Sequence, residues 1–168
     1  IQQKMVNKNK NFLVGIIMGS QSDWEVMKEA KNQLDELSIS NEQLIISAHR
    51  TPHRIIDYAK KVLENGVKVI IAGAGGAAHL PGMMASHTYI PVIGVPIEST
   101  SLNGIDSLLS IVQMPKGIPV ATVSIGKTGA KNAAILAAEI LSLQDEKIRN
   151  KLSSWKISMT DDVPFKPK

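Results

Sequence analysis

Five apolar runs of strand length, alternating with helix-patterned segments, predict an α/β fold with one five-stranded parallel sheet covered by helices on both faces. Two further observations support that class. Phe12–Met18 and Val67–Ile71 are almost continuously apolar rather than alternating, as in strands buried on both sides. Three glycine-rich or polar loops follow the first three runs directly, and in a parallel sheet such loops gather along one edge.

The elements follow in order. Residues 1–11 are read as a flexible arm, 12–156 as a single α/β domain and 157–168 as an extended tail containing two prolines. The first strand, Phe12–Met18, ends in Gly19-Ser20-Gln21-Ser22-Asp23. Met27, Ala30, Leu34 and Leu37 then share one helical face, and Ser22 with Glu25 has capping-box spacing, which starts that helix near Asp23. Gln43–Ser47 is the second strand and leads into Ala48-His49-Arg50. Thr51 and Pro52 form a cap and first-turn pair for a helix with the apolar face Ile55, Ile56, Ala59, Val62 and Leu63, stopped by Asn65-Gly66. The third strand, Val67–Ile71, delivers the loop Ala72–Met83, within which Pro81 can open a short helix. Pro91–Pro96 is the fourth strand. Ile105, Leu108, Leu109 and Val112 mark the next helix, Pro119–Ile125 the fifth strand and Asn132–Leu143 an alanine-rich helix. A charged helix over Asp145–Trp155 ends the domain.

Composition narrows the function. With 43% hydrophobic and 20% charged residues the chain has the balance of an ordinary globular domain. It has no cysteine, which removes disulfides, thiolate metal sites and cysteine nucleophiles together and suits a reducing compartment such as the cytoplasm. No apolar stretch approaches the roughly 18–20 residues that span a bilayer. No signal-peptide pattern opens the chain, and Met5 is a candidate natural start. Of the net charge of +4, Lys4, Lys8 and Lys10 supply +3 within the arm. Aromatics are only 4% of the chain, too few for base stacking, so neither nucleic acid nor membrane is an expected partner.

The loops carry the chemistry. Ala72–Met83 is so poor in side chains that backbone N–H groups can approach a ligand, with His79 the one titratable ring among them. Gly19–Asp23 has two readings. It is either a well-capped helix start or a small anion site with Ser20 and backbone amides on a phosphate. It matches neither a Walker loop nor a G-x-G-x-x-G fingerprint. His49 and Arg50 are either an exposed turn or a proton-transfer group beside a phosphate or carboxylate clamp. His53 and His87 have no partners that would complete a metal site, so no metal is expected. At this level a non-catalytic module for a phosphorylated nucleotide or flavin stands beside the enzyme reading.

Taken together, Gly19-Ser20-Gln21-Ser22-Asp23-Trp24, Ser47–Pro52, Ala72–Met83 and Ser110-Ile111-Val112-Gln113-Met114-Pro115 resemble the class I PurE family, in order and spacing from about Phe12 to Trp155. The departures are the two tails, Ser99-Thr100-Ser101 and Lys127-Thr128, none at a candidate catalytic position. The resemblance implies a flavodoxin-like three-layer fold, a homo-octamer and no metal or organic cofactor. It implies a mutase of purine biosynthesis that moves the carboxylate of N5-carboxyaminoimidazole ribonucleotide from the exocyclic nitrogen to ring carbon C4, through decarboxylation and recarboxylation. By the same resemblance His49 shuttles the proton and His79 supports it. Ser20 and Arg50 take the phosphate and Asp23 the ribose hydroxyls. The backbone of Ala74, Gly75 and Ala77 takes the carboxylate and ring, while Ser47 and Leu80 complete the substrate-binding set. A class II relative, carboxylating aminoimidazole ribonucleotide with CO2, is the nearest alternative.

Overall fold

The computed structural model describes residues 11–167. Strands β1 (Val14–Met18), β2 (Asn41–Ile45), β3 (Val69–Gly75), β4 (Val92–Ile97) and β5 (Ala121–Thr122) form one sheet in the order β2-β1-β3-β4-β5. Every neighbouring pair is parallel, which is the flavodoxin-like arrangement. Between and after them run α1 (Trp24–Glu36), α2 (Pro52–Lys61), α3 (Leu80–Ser86), α4 (Ile105–Val112), α5 (Gly126–Ser142) and α6 (Glu146–Asp161). The expected α/β class is the one the chain adopts.

Side-chain alternation along the central strands feeds two cores. On one face Val14, Ile16 and Met18 of β1 and Ile93 and Val95 of β4 pack against Met27 and Leu34 of α1 and Ala133, Ala134 and Ala137 of α5. On the other, Ile17, Ile70 and Ala72 meet Ile55, Met84 and Ile111 from the opposite helices. Each large apolar side chain removed from water contributes about 1.5–3 kcal/mol. Burial on both faces explains why these strands read as unbroken apolar runs.

The departures from expectation lie at edges and ends. β2 begins at Asn41, two residues before the expected start, because an edge strand with a half-open face accepts Asn41, Glu42 and Gln43. β5 is reduced to Ala121–Thr122, with one more backbone bond from Val123 N to Gly94 O at 3.2 Å. α5 starts six residues before Asn132. Of its early glycines, Gly126 starts the helix at φ +78° and Gly129 serves close packing rather than breaking the helix. α6 continues through Asp161, so residues 157–161 are helical rather than extended. Ile148 and Leu152 anchor its first half, and the rest propagates past the last buried side chain until Pro164 approaches. The flexible arm expected over residues 1–11 lies, except for Asn11, outside the described residues.

Two helices present faces other than those expected. On α2 it is Tyr58 that joins Ile55 inside, while Ile56 and, beyond the helix, Leu63 are exposed. The Tyr58 hydroxyl donates to Glu42 Oε1 at 2.9 Å and fills the space that a side chain at Gly15 would need. Burial pushes the Tyr58 phenol and the Glu42 carboxyl above their ordinary values. On α4, Ile111 faces the core, whereas Ile105, Leu109 and Val112 are about half exposed at 51%, 53% and 46%. With Leu102 they form an outward apolar stripe at helical spacing. No helix is long and apolar enough to cross a membrane among the described residues.

Gly129 marks the tightest approach of α5, since a Cβ there would overlap the Ser124 carbonyl oxygen. Gly129→Ala is expected to cost about 1–3 kcal/mol of stability, because backbone rather than a flexible side chain must move. A lower urea midpoint at unchanged slope would show this; an unchanged midpoint would contradict the packing.

Candidate active site

Each loop of the site begins where a strand of the parallel sheet ends. β1 delivers Gly19–Asp23, β2 delivers Ser47–Arg50 and β3 delivers Gly76–His79, all on the carboxyl edge. They close around a cleft of about 460 Å³ lined by Ser20, Asp23, Ser47, His49, Arg50, Ala74, Gly75, Ala77, His79 and Leu80, the full set singled out from the sequence. His53 and His87 are not among the residues lining this cleft.

The first loop folds by capping its own turn. Ser20 and Asp23 form a capping box around the single 3₁₀ turn Gln21–Asp23, two residues ahead of the Ser22–Glu25 box expected. The Ser20 amide donates to Asp23 Oδ2 at 2.9 Å, and Ser20 Oγ accepts from the Ser22 amide at 3.3 Å and the Ser22 hydroxyl at 3.0 Å. Both acceptor positions of Ser20 Oγ are therefore taken, which leaves its own hydrogen to donate. Asp23 is only 9% exposed. Burial raises its carboxyl above the usual aspartate range, opposed by the hydrogen bond from the Ser20 amide and by the nearby Gly19 amide, Ser22 hydroxyl and Arg50 charge.

The second loop aims a guanidinium. Thr51 makes no side-chain cap to α2; its hydroxyl instead accepts from the Ser47 amide and donates to the Ser47 carbonyl, each at 3.0 Å. Ser47 Oγ accepts from the Arg50 amide at 3.3 Å and from Arg50 Nε at 3.2 Å, and Arg50 Nη2 donates to the Gly19 carbonyl at 3.2 Å. The guanidinium is held between two loops with donors left for an anion.

The third loop meets the second through its histidines. His49 Nε2 and His79 Nδ1 stand 2.7 Å apart, the rings edge to face with centroids 4.9 Å apart. One hydrogen occupies that contact. The pair can carry one positive charge with the contact intact but not two, because two N–H groups would then face each other. Gly76 turns the loop at φ +66°, where a side chain would be strained. The Ala77 amide has no protein acceptor among the described residues and lies at the cleft wall.

Sequence reasoning missed Glu98 and Ser99, which also line the cleft. They follow β4 on the same edge, so the rule that found the first three loops would have found the fourth. Among the described residues no cluster of three or more His, Cys, Asp or Glu side chains is placed to hold a metal ion.

An α/β protein with a polar cleft across the carboxyl ends of four strands is the class that fold and site define. The AIR carboxylase family model matches residues 13–162 of this chain. A Bacillus subtilis protein named N5-carboxyaminoimidazole ribonucleotide mutase is 65% identical over 140 residues, 83% of this chain and 86% of its own. Its namesake from Escherichia coli K12 is 50% identical over 163 residues, 97% of this chain and 96% of its own. That of Pyrococcus horikoshii is 60% identical over 161 residues, 96% and 90%. Among solved structures, Treponema denticola PurE aligns with a TM-score of 0.79 at 31% identity, covering 88% of this chain and 91% of its own. The chain belongs to the AIR carboxylase family.

The Asp23 shift has a testable sign. Its folded-state pKa is raised above the value of 3.8, so its stabilising contribution is complete below that value and is lost as pH rises through the folded pKa. An asparagine in its place keeps an acceptor for the Ser20 amide and removes the buried charge. Asp23→Asn is expected to match the parent's melting temperature near pH 3 and to equal or exceed it at pH 7. A variant that falls progressively below the parent as pH rises would reverse this account.

Proposed function

We propose that the cleft isomerises N5-carboxyaminoimidazole ribonucleotide to 4-carboxy-5-aminoimidazole ribonucleotide, with His49 moving one proton. The enzyme class is that of the relatives: the chain is a mutase acting in purine biosynthesis. The observation that carries the mechanism is the His49–His79 contact between two loops of the site.

The reaction needs one proton placed and one removed. Breaking the N–CO2⁻ bond leaves its electron pair on the exocyclic nitrogen, which takes a proton from His49 and releases CO2. Ring carbon C4 then attacks CO2, and the C4 hydrogen leaves as a proton to His49. Proton count and charge close over the cycle, and a group able to give and take near neutral pH suits both steps. A contact between the rings that accommodates one extra proton suits that stoichiometry. His79 orients His49 through their shared hydrogen and borders the space for CO2. Arg50 and the Ser20 hydroxyl bind the phosphate, with Ser47 fixing the guanidinium, and Asp23 accepts from the ribose hydroxyls. The Ala74–Ala77 backbone, with the Ala77 amide, faces carboxylate and ring, and Leu80 closes the apolar side. The 168 residues contain no cysteine, which fits a reducing cytoplasm.

The test is turnover of freshly made N5-carboxyaminoimidazole ribonucleotide without ATP, metal or bicarbonate. Parent protein is expected to form the C4-carboxylated product, and His49→Asn to lose about 10²–10⁴-fold in rate while still binding substrate. A near-parent rate for that variant would remove His49 from proton transfer. Carboxylation of aminoimidazole ribonucleotide at high bicarbonate, without mutase turnover, would overturn the mutase reading.

The outward stripe of α4 supports a homo-oligomer, the octamer that the class I resemblance implies. Leu109→Glu, at a half-exposed position tolerant of charge within one subunit, is expected to reduce the molar mass seen by light scattering. A parent that is monomeric, or a variant with unchanged mass, would refute this use of the stripe.

A further inference from the structure

We propose that Ser107 and Ser110 of α4 are positioning residues that clamp the glycine loop and decide whether released CO2 is recaptured or lost. The inference rests on the mutase reading above and deepens it.

Direct pairing of β3 with β4 ends at Gly75 opposite Ile97. One step further a side chain replaces the backbone rung. The Gly76 amide donates to Ser107 Oγ at 2.8 Å, and that hydroxyl donates to the Ile97 carbonyl at 2.6 Å. Ser107 is 0% exposed and spends both its hydrogen and a lone pair on this bridge. The other end of Gly76 is held as well. Its carbonyl accepts from the Ala78 amide at 2.8 Å and from Ser110 Oγ at 3.3 Å. Ser110 also bonds back to the Asp106 carbonyl at 2.7 Å, so its hold on the loop is the weaker one.

Side-chain packing at Gly76 itself does not do this job. A Cβ built at Gly76 would meet no atom within 4 Å, so the peptide has open space beside it at a φ of +66°. The hydrogen bonds from α4 tie the Gly76 peptide to the end of β4. The turn lies between Gly75 and Ala77, two of the groups proposed to face the carboxylate, and it leads to His79. Released CO2 is neutral and offers little for a charged side chain to grip. Walls held at fixed distance are what keep it beside C4 long enough to react. A looser loop would let it escape, after which the nitrogen keeps its new proton, C4 keeps its hydrogen, and aminoimidazole ribonucleotide and bicarbonate accumulate.

The experiment measures partition rather than rate. Ser107→Ala, Ser110→Ala and the double variant are given N5-carboxyaminoimidazole ribonucleotide, and C4-carboxylated product and aminoimidazole ribonucleotide are quantified above the enzyme-free background. Ser107→Ala is expected to raise the ratio of decarboxylated to C4-carboxylated product on the order of tenfold, and Ser110→Ala to raise it less. Should Ser107→Ala fail to fold, half-buried Ser110 alone decides: a raised ratio supports the clamp. A slower variant with the parent's ratio would make the serines merely structural and overturn the proposal. Amide exchange at Gly76 gives a readout independent of activity. Protection is expected in the parent and lost in Ser107→Ala, with the β3–β4 ladder still protected. If the parent turns over no substrate, the mutase reading fails and the exchange result still reports whether the clamp exists; unprotected Gly76 in the parent would refute the clamp itself.

Discussion

Parallel pairing of β1 with β3, from Val14 opposite Val69 to Met18 opposite Gly73, is the constraint on which the site depends. Two neighbouring strands that run the same way must each be followed by a crossover, and both then end on the same edge. Extending the rule to β2 and β4 brings four strand ends together, and with them the serines, the arginine and both histidines. No local preference of the loops could assemble that set. The Gly19 amide donates to the Gly73 carbonyl at 3.3 Å, carrying the pairing to the rim of the cleft.

The polar groups at that rim hold one another. Asp23 fixes the Ser20 amide, Ser47 and the Gly19 carbonyl fix Arg50, and the two imidazoles share a hydrogen. Such mutual bonding settles side-chain geometry before any ligand arrives, so less binding energy is spent on ordering. It also has a cost. Asp23 is largely shielded from water and its carboxyl is raised by burial, which is a charge kept where folding alone would favour a neutral group.

The sequence was most legible where burial is two-sided. β1, β3 and β4 announce themselves because both faces are covered, and the three loops after the first three strands, with the last two residues of β3 and the first of α3, contain every residue proposed for the chemistry. The edge strands β2 and β5 were placed less well, since one-sided burial leaves Asn41 or Pro119 without a clear period. The capping box was offset because Ser20 and Ser22 both have an acidic residue three positions on, and only tertiary context selects between them. Periodicity found the apolar side of α4 but not what that side touches. Ile105, Leu109 and Val112 mark the helix in the sequence yet point outward, while the inward residues include the polar Ser107. Hydrogen bonding to another loop leaves no trace in a hydropathy pattern.

α4 therefore has work on two sides within eight residues. Ile111, Ser107 and Ser110 answer to the core and the glycine loop, and under the proposed assembly Ile105, Leu109 and Val112 answer to a neighbouring subunit. A short surface helix is ordinarily where substitutions accumulate most freely during evolution. This one has few positions left to drift. A replacement on its outer side that tilts the helix would be felt at Gly76, so selection on assembly and selection on chemistry would act on the same turn of backbone.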